Sequence, residues 1–124
     1  MKYSEHDHQA SLFAWSATQL RQWPCLSLLF AIPNGGHRHK LTAVRLKAEG
    51  VKAGVPDICL PVARGGYHGL FIEMKAGKNK ATDSQAMWIS ALIEQGYYAR
   101  ICNGVDEAQA TLEWYLEGAV ENQI

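Results

Sequence analysis

An acid and a base stand side by side in a markedly apolar segment of this sequence. Residues 69–78 read GLFIEMKAGK, and successive side chains of a strand alternate, so Glu73 and Lys75 share one face. A second acid, Asp57, follows Pro56 at the start of the apolar run PDICLPV. The 15 residues between Asp57 and Glu73 suffice for two short strands and a turn. We therefore expect both carboxylates to meet at one edge of a sheet.

Two neighbouring carboxylates need a compensating positive charge. They repel each other, and a buried charge without a partner is costly. Lys75 supplies one charge, and a hard cation such as Mg²⁺, which prefers carboxylate oxygens and often contacts a substrate phosphate, would supply two. A metal-bound water beside a lysine is a suitable nucleophile for a phosphodiester. The alternative is an ordinary Glu73–Lys75 ion pair on a half-solvated sheet face.

The elements that must position these residues follow from hydrophobic periodicity and turn residues. The pattern predicts an α/β fold in the order α-β-α-β-β-α-β-α, with a crossover helix that makes the last two strands parallel. We expect a mixed sheet of about four strands flanked by helices. The predicted elements are a helix from Ser4 to about Gln22, a buried strand over residues 26–32, a helix ended by Gly50, a hairpin around ARGGYH, a helix from Thr82 or Asp83 to Gly96, the strand YYARIC and the helix VDEAQATLEWYLEG.

Composition narrows the class of protein. The 124 residues predict a single domain over residues 1–124. The net charge of zero excludes a uniformly basic DNA-coating protein, but nine of the 12 basic residues lie between Arg38 and Lys80, as in a polyanion-binding face. Three cysteines without a C-x-x-C motif argue against a disulfide framework or a zinc knuckle. Without a signal peptide or a long apolar run, we expect a cytoplasmic protein with no membrane partner.

Several motifs together resemble one family. GVPDICLP, LFIEMK and SQAMW, supported by EHDHQ and by IPNGGHRHKLTAVRLKAEG, are similar to the VRR-NUC (virus-type replication-repair nuclease) domain of the PD-(D/E)xK nuclease superfamily. The resemblance spans about residues 5–116. It implies a restriction-endonuclease-like core in a stand-alone domain of the phage and bacterial type. It also implies a Mg²⁺- or Mn²⁺-dependent DNA endonuclease of replication, repair or recombination, acting on branched DNA such as four-way (Holliday) junctions.

The resemblance implies a role for each matching residue. Asp57 and Glu73 match the metal-binding acids, and the backbone carbonyl of Met74 matches a further ligand. Lys75 matches the catalytic lysine. Glu5 matches an acid of the first helix that lies near the metal and acts through water. From the residues alone, Glu5 is equally a favourable charge in the first turn of a helix.

Two glutamines accompany the acids. Gln85 matches the glutamine of the helix that follows the catalytic strand, and Gln9 matches the one in the first helix. Glu5 and Gln9 are four residues apart, so their side chains lie on one face of the helix and can point into the same site. Trp88, three residues after Gln85, is predicted to lie in the core.

The remaining polar motifs have plainer interpretations. His6 and His8 diverge by about 200° on a helix, so one metal ion could not easily take both, and we expect them to be exposed to solvent. The loop PNGGHRHK lacks the spacing of a P-loop, which disfavours nucleotide hydrolysis. Since the resemblance places this loop near the active site, we predict DNA-backbone contacts there and just after the catalytic strand, with ordinary loops as the alternative. The predicted contacts are Asn34, Gly35, Arg38, Lys40, Lys78 and Lys80.

The predicted partners follow from the substrate. Symmetric cutting of a four-way junction needs two active sites and one chain has one, so branched DNA as the substrate predicts a C2 homodimer. A nucleic-acid-binding module that has the fold but does not cut is the alternative function. RNA stays open as a second substrate.

Overall fold

The computed structural model describes residues 3–33 and 40–118. These residues form the predicted α/β arrangement in the predicted order, with four helices and four strands. The helices are α1 (Glu5–Ala17), α2 (Lys40–Ala48), α3 (Asp83–Glu94) and α4 (Val105–Glu113). The strands are β1 (Phe30–Ala31), β2 (Ile58–Leu60), β3 (Leu70–Lys75) and β4 (Tyr98–Asn103). A 3₁₀ helix (Pro24–Leu28) precedes β1, and a π-helical turn (Trp114–Gly118) follows α4.

The four strands form one mixed sheet in the order β1-β2-β3-β4. β1 and β2 are antiparallel, β2 and β3 form the predicted antiparallel hairpin, and β3 and β4 are parallel because α3 crosses between them. Ile58 is paired with Ile72. Asp57 therefore stands next to Glu73, one step beyond the paired part of β2.

The core lies on one face of β3. Leu70, Ile72 and Met74 point into it, together with Leu12 of α1 and Leu112 of α4. Because strand side chains alternate, Glu73 and Lys75 point to the opposite face. β3 is thus buried on both faces, which explains why its sequence is apolar almost throughout.

The segment before β1 differs from the predicted strand over residues 26–32. Pro24 starts the 3₁₀ helix, in which the Leu29 N–H bonds to the Leu26 carbonyl at 3.1 Å, and only Phe30 and Ala31 pair with β2. Proline favours the first turn of a helix, since its fixed φ suits that turn and the N–H it lacks would be unpaired there. An apolar run of this length does not distinguish a helix from a strand by its periodicity.

Two helices also depart from expectation. α1 ends at Ala17 and not near Gln22, since the Thr18 hydroxyl donates to the Trp15 carbonyl at 2.6 Å and the chain continues in turns. No residue of α3 is buried, and Trp88, predicted for the core, is half-buried. None of the helices in the described ranges is both long and apolar enough to cross a lipid bilayer.

Candidate active site

The β2–β3 register brings Asp57 and Glu73 together at the sheet edge, as the hairpin spacing predicted. The Asp57 carboxylate accepts the Met74 N–H at 3.0 Å, and the Asp57 backbone carbonyl accepts the Ile32 N–H at 2.6 Å. Asp57 is therefore held by β3 through its side chain and by the end of β1 through its backbone. Such fixation on both sides sets its carboxylate at a defined place beside Glu73.

Glu73 is the most unusual carboxylate of the described chain. Its side chain is 2% exposed. One oxygen, Oε2, accepts from Gln85 Nε2 at 3.1 Å and lies 3.6 Å from Lys75 Nζ. The other oxygen, Oε1, is buried and has no hydrogen-bond partner among the described residues. Buried carboxylate oxygens are normally paired, so an unpaired one calls for an explanation.

Burial disfavours the charge of both carboxyls, and the charge of Asp57 further disfavours that of Glu73. Burial and, next to it, the charge of Asp57 raise the pKa of Glu73 to about 8, while Lys75 acts in the opposite direction. Burial also raises the pKa of Asp57, against the hydrogen bond from Met74. A divalent cation between the two acids would remove this penalty, since an opposite charge at close range favours the ionised form.

Lys75 is connected to the site by its ion pair with Glu73. Its side chain is 8% exposed, and it is not among the described residues that line the cleft at the sheet edge. The ammonium group stands beside Glu73 Oε2, while the Lys75 carbonyl accepts the Gly104 N–H at 2.9 Å. Glu73 and Lys75 thus form a buried pair and not the half-solvated surface pair considered as the alternative.

Gln85 performs two tasks at the start of α3. Thr82 caps this helix: its hydroxyl accepts the Gln85 N–H at 3.2 Å, and the Gln85 Oε1 accepts the Thr82 N–H at 2.9 Å. This capping box leaves the Gln85 amide nitrogen free to donate to Glu73. The cap therefore fixes both the position and the orientation of the amide that holds Glu73.

The acids open into a cleft of about 660 Å³. α1 contributes Glu5, Gln9 and Phe13, which follow one another at intervals of four residues on one helical face. Sequence reasoning placed Glu5 and Gln9 on this face and missed Phe13, which the same spacing could have found. The described lining consists of Glu5, His6, Gln9, Ala10, Phe13, Ala31, Ile32, Pro33, Asp57, Glu73 and Gln85.

The first helix carries two further contacts that the sequence did not reveal. Glu5 Oε2 accepts from Asn79 Nδ2 at 3.0 Å, across 74 positions of the chain. His6 is exposed, as predicted, and lines the cleft. The prediction for His8 is wrong: it is half-buried, and its Nδ1 accepts the Val105 N–H at 3.0 Å, because α1 packs against the start of α4.

The residues predicted to contact DNA fall into two groups. Lys78 and Lys80 are exposed in the loop between β3 and α3. This loop is held at two points, by the Asn79–Glu5 bond and by Asn103 Nδ2, which donates to the Gly77 carbonyl at 2.9 Å. The others lie outside the described residues: Asn34, Gly35 and Arg38 altogether, and Lys40 in its side chain.

The residues at the sheet edge suit a hard cation. Asp57 and Glu73 offer carboxylate oxygens, one of them unpaired, and Glu5 lies on the same cleft. Within residues 3–33 and 40–118 no group of three His, Cys, Asp or Glu side chains converges as a complete ligand set. Mg²⁺ is commonly bound by one or two carboxylates with water completing its shell, so two acids at an open cleft meet its requirements.

Comparison with known proteins agrees with the motifs. The profile of the VRR-NUC domain matches residues 1–106 of this chain. One solved structure, described as a VRR_NUC domain protein, is 32% identical and superposes with a TM-score of 0.81, covering 94% of this chain and 91% of that chain. Among curated proteins no significant match was found. The resemblance and the fold predicted from the sequence are thereby confirmed.

Proposed function

Because this chain belongs to the VRR-NUC domain family, whose function is of the nuclease type, we propose that it is a Mg²⁺- or Mn²⁺-dependent DNA endonuclease. The observation that carries this proposal is the unpaired, buried Oε1 of Glu73 beside Asp57, on a cleft open to substrate. A carboxylate that gives up a hydrogen bond and lies next to a like charge is costly in a protein without a cation. A free-energy cost of this kind is typical of carboxylates that bind a catalytic cation.

The proposed reaction is hydrolysis of a phosphodiester. Water adds to phosphorus, the bond to the leaving oxygen breaks, and the products are a phosphate monoester and a hydroxyl. A bound cation would supply charge for the phosphate and a more acidic water. Asp57, Glu73 and the Met74 carbonyl would hold it, with Glu5 acting through water.

The other residues position these groups. Lys75 favours the ionised form of Glu73 through the ion pair at 3.6 Å, against the effect of burial, and would orient the attacking water. Gln85 keeps the Glu73 carboxylate from rotating, since its own amide is fixed by the cap of α3. In the substrate complex, Lys78 and Lys80 contact the DNA backbone.

Branched DNA is the substrate we propose, and a C2 homodimer is the form that cuts it. The described part of one chain holds one such pair of acids and hence one active site, and symmetric cutting of a four-way junction needs two sites. The mass of the protein in solution, measured by light scattering with and without a synthetic junction, tests this part. A monomer in both conditions would contradict it.

The test of the enzyme is a cleavage assay with labelled branched, nicked and linear DNAs in Mn²⁺, Mg²⁺ or EDTA. We expect cleavage with the metals and none with EDTA, while some salt-sensitive binding persists because phosphate contacts do not all pass through the metal. Glu73→Gln and Lys75→Ala should abolish cleavage, and Glu94→Gln, which alters an exposed acid of α3, should not. Binding without cleavage in every metal would point to the non-cutting module, and cleavage that survives Glu73→Gln would refute the site.

A further inference from the structure

Helix α2 is exposed on nearly every side. Of its side chains in residues 42–48, only Leu46 is half-buried, and Val44 is 61% exposed. Arg45 and Lys47 form no hydrogen bond or ion pair with a described residue. A helix of nine residues is marginal by itself in water, and over residues 42–48 none of its side chains is fully buried, so burial against the described residues does not explain α2.

A short segment after the end of α2 contacts the start of α3, which borders the cleft. Gly54, a few residues after α2, packs against the start of α3 so tightly that a Cβ would lie 2.7 Å from the Ser84 carbonyl carbon. Ser84 precedes Gln85, which lines the cleft. Gly50, two residues after the end of α2, is four residues from Gly54 and hence within about 14 Å of it, because an extended chain advances at most about 3.6 Å per residue.

The side chains of α2 are arranged around Leu46, which faces the body of the protein. At 100° per residue, Arg45 and Lys47 lie on the two flanks, about 200° apart. Val44 and Ala48 point away from the body, about 160° from Leu46 on either side. The outer ridge is therefore narrow and apolar, with one cation on each flank. No acidic residue occurs within α2.

This geometry fits the major groove of a DNA duplex. A helix is about 10–12 Å wide and the groove is about 12 Å wide, so cations on opposite flanks of one helix would face the two phosphate strands. A single strand has one backbone and cannot meet both flanks. Base-stacking aromatic residues, on which single-strand binders rely, are absent from α2 and from the basic loop with the sequence AGKNKA. In A-form RNA the major groove is too narrow and deep to admit a helix.

We propose that α2 enters the major groove of duplex DNA beside the cleavage site, with Arg45 and Lys47 each on a phosphate. This inference rests on the proposed function, because it names the form of nucleic acid that the cleft receives. It predicts that duplex DNA binds more tightly than duplex RNA, and it assigns this preference to one helix.

The test is fluorescence anisotropy with a 30-bp DNA duplex, an RNA duplex and a single strand of the same sequence, in EDTA over a range of KCl. Each phosphate contact contributes about 0.9 to the slope of log affinity against log salt. Arg45→Ala/Lys47→Ala should lower the slope on duplex DNA by about 1.8, equivalent to roughly 60-fold in affinity at 0.1 M salt. Alanine is the best helix former, so circular dichroism should show the fold unchanged.

Three controls define the outcome. Arg45→Lys/Lys47→Arg keeps both charges and should keep the slope, and Arg21→Ala, which removes an exposed cation just after α1, should not change it. The RNA duplex and the single strand should bind more weakly, with little change in either variant. An unchanged slope on duplex DNA, or the same loss on RNA or on the single strand, would overturn the proposal.

Cleavage measured in parallel with Mn²⁺ separates this inference from the proposed function. If the unsubstituted protein cuts DNA but the double alanine variant binds with an unchanged slope, the groove contact is wrong and the nuclease stands. If no cleavage occurs but the slope falls by about 1.8, the contact stands and the nuclease is wrong.

Discussion

Replacing Glu73 by Gln should stabilise this protein at alkaline pH in the absence of metal. The folded state raises the pKa of Glu73 from its ordinary value of 4.5 to about 8. The folded protein then binds more protons than the unfolded chain between these two values. The contribution of Glu73 to the free energy of unfolding is therefore largest below pH 4.5 and is lost as the pH rises through 8.

The size of this effect follows from the shift. One pKa unit corresponds to ~1.4 kcal/mol, so the Glu73 carboxyl should lower the free energy of unfolding by roughly 2–5 kcal/mol between pH 5 and pH 8. The raised pKa of Asp57 acts in the same direction. Gln has nearly the shape of protonated Glu and carries no charge. Glu73→Gln should thus match the unsubstituted protein at pH 5 and exceed its stability by a few kcal/mol at pH 8.

The assay is urea unfolding at pH 5 and pH 8, in EDTA and in Mn²⁺, followed by the fluorescence of the four tryptophans. A cation that binds the folded state at 100 times its Kd adds about 2.7 kcal/mol. At pH 8 it should stabilise the unsubstituted protein and leave Glu73→Gln nearly unaffected. Glu94→Gln, at an exposed position, serves as the control.

Two results would refute this reasoning. The first is a stability of the unsubstituted protein that stays constant from pH 5 to pH 8 in EDTA, because the buried carboxyl would then carry no penalty. The second is an equal loss of stability on Glu73→Gln at both pH values. This would mean that the hydrogen bond and the ion pair of the Glu73 carboxylate stabilise the fold more than its buried charge destabilises it. A stabilisation by Mn²⁺ that persists in the Gln variant would place the cation elsewhere.

Two further predictions concern single hydrogen bonds. Thr82→Ala removes the hydroxyl that accepts the Gln85 N–H and should cost about 1 kcal/mol of stability. It should also lower cleavage, because the first turn of α3, which carries Gln85, is then held less firmly, although the backbone N–H of residue 82 still donates to Gln85 Oε1. Thr82→Ser should keep both properties, and an unaffected cleavage rate in Thr82→Ala would show that the hydroxyl does not help to position Gln85. Tyr115 is fully buried, and its hydroxyl donates to the Val62 carbonyl at 2.7 Å. Tyr115→Phe should therefore lower the free energy of unfolding, measured by urea titration, by about 1–3 kcal/mol. A change near zero would mean that the Val62 carbonyl has another hydrogen-bond partner in the variant.

Local sequence patterns predicted those helices and strands whose capping residues or side-chain alternation are clear. The capping sequences before α1 and α3 and the alternation along β3 were visible in the sequence, because each depends on residues within a few positions of one another. The apolar run before β1 was misassigned, since a short run without period fits a 3₁₀ helix as well as a strand.

Contacts between distant segments were not predictable. The bond from Val105 to His8 joins positions 97 residues apart, and the bond from Asn79 to Glu5 joins positions 74 apart. No local signal marks such a pair, because either residue would be unremarkable on a solvated surface. The exposure of α2 was equally hidden, since its mixture of apolar and basic residues also suits a packed amphipathic helix.

The sequence by itself determined that Glu73 and Lys75 share one face of a strand and that Asp57 can reach them. A period of two residues and a hairpin-sized gap are enough for that, because covalent geometry sets both. Only the tertiary structure decided that Glu73 is buried, that Gln85 holds one of its oxygens and that the other has no described partner. Burial and pairing depend on which elements pack over the strand, and that packing turns two ordinary acids into a site with a raised pKa and room for a cation.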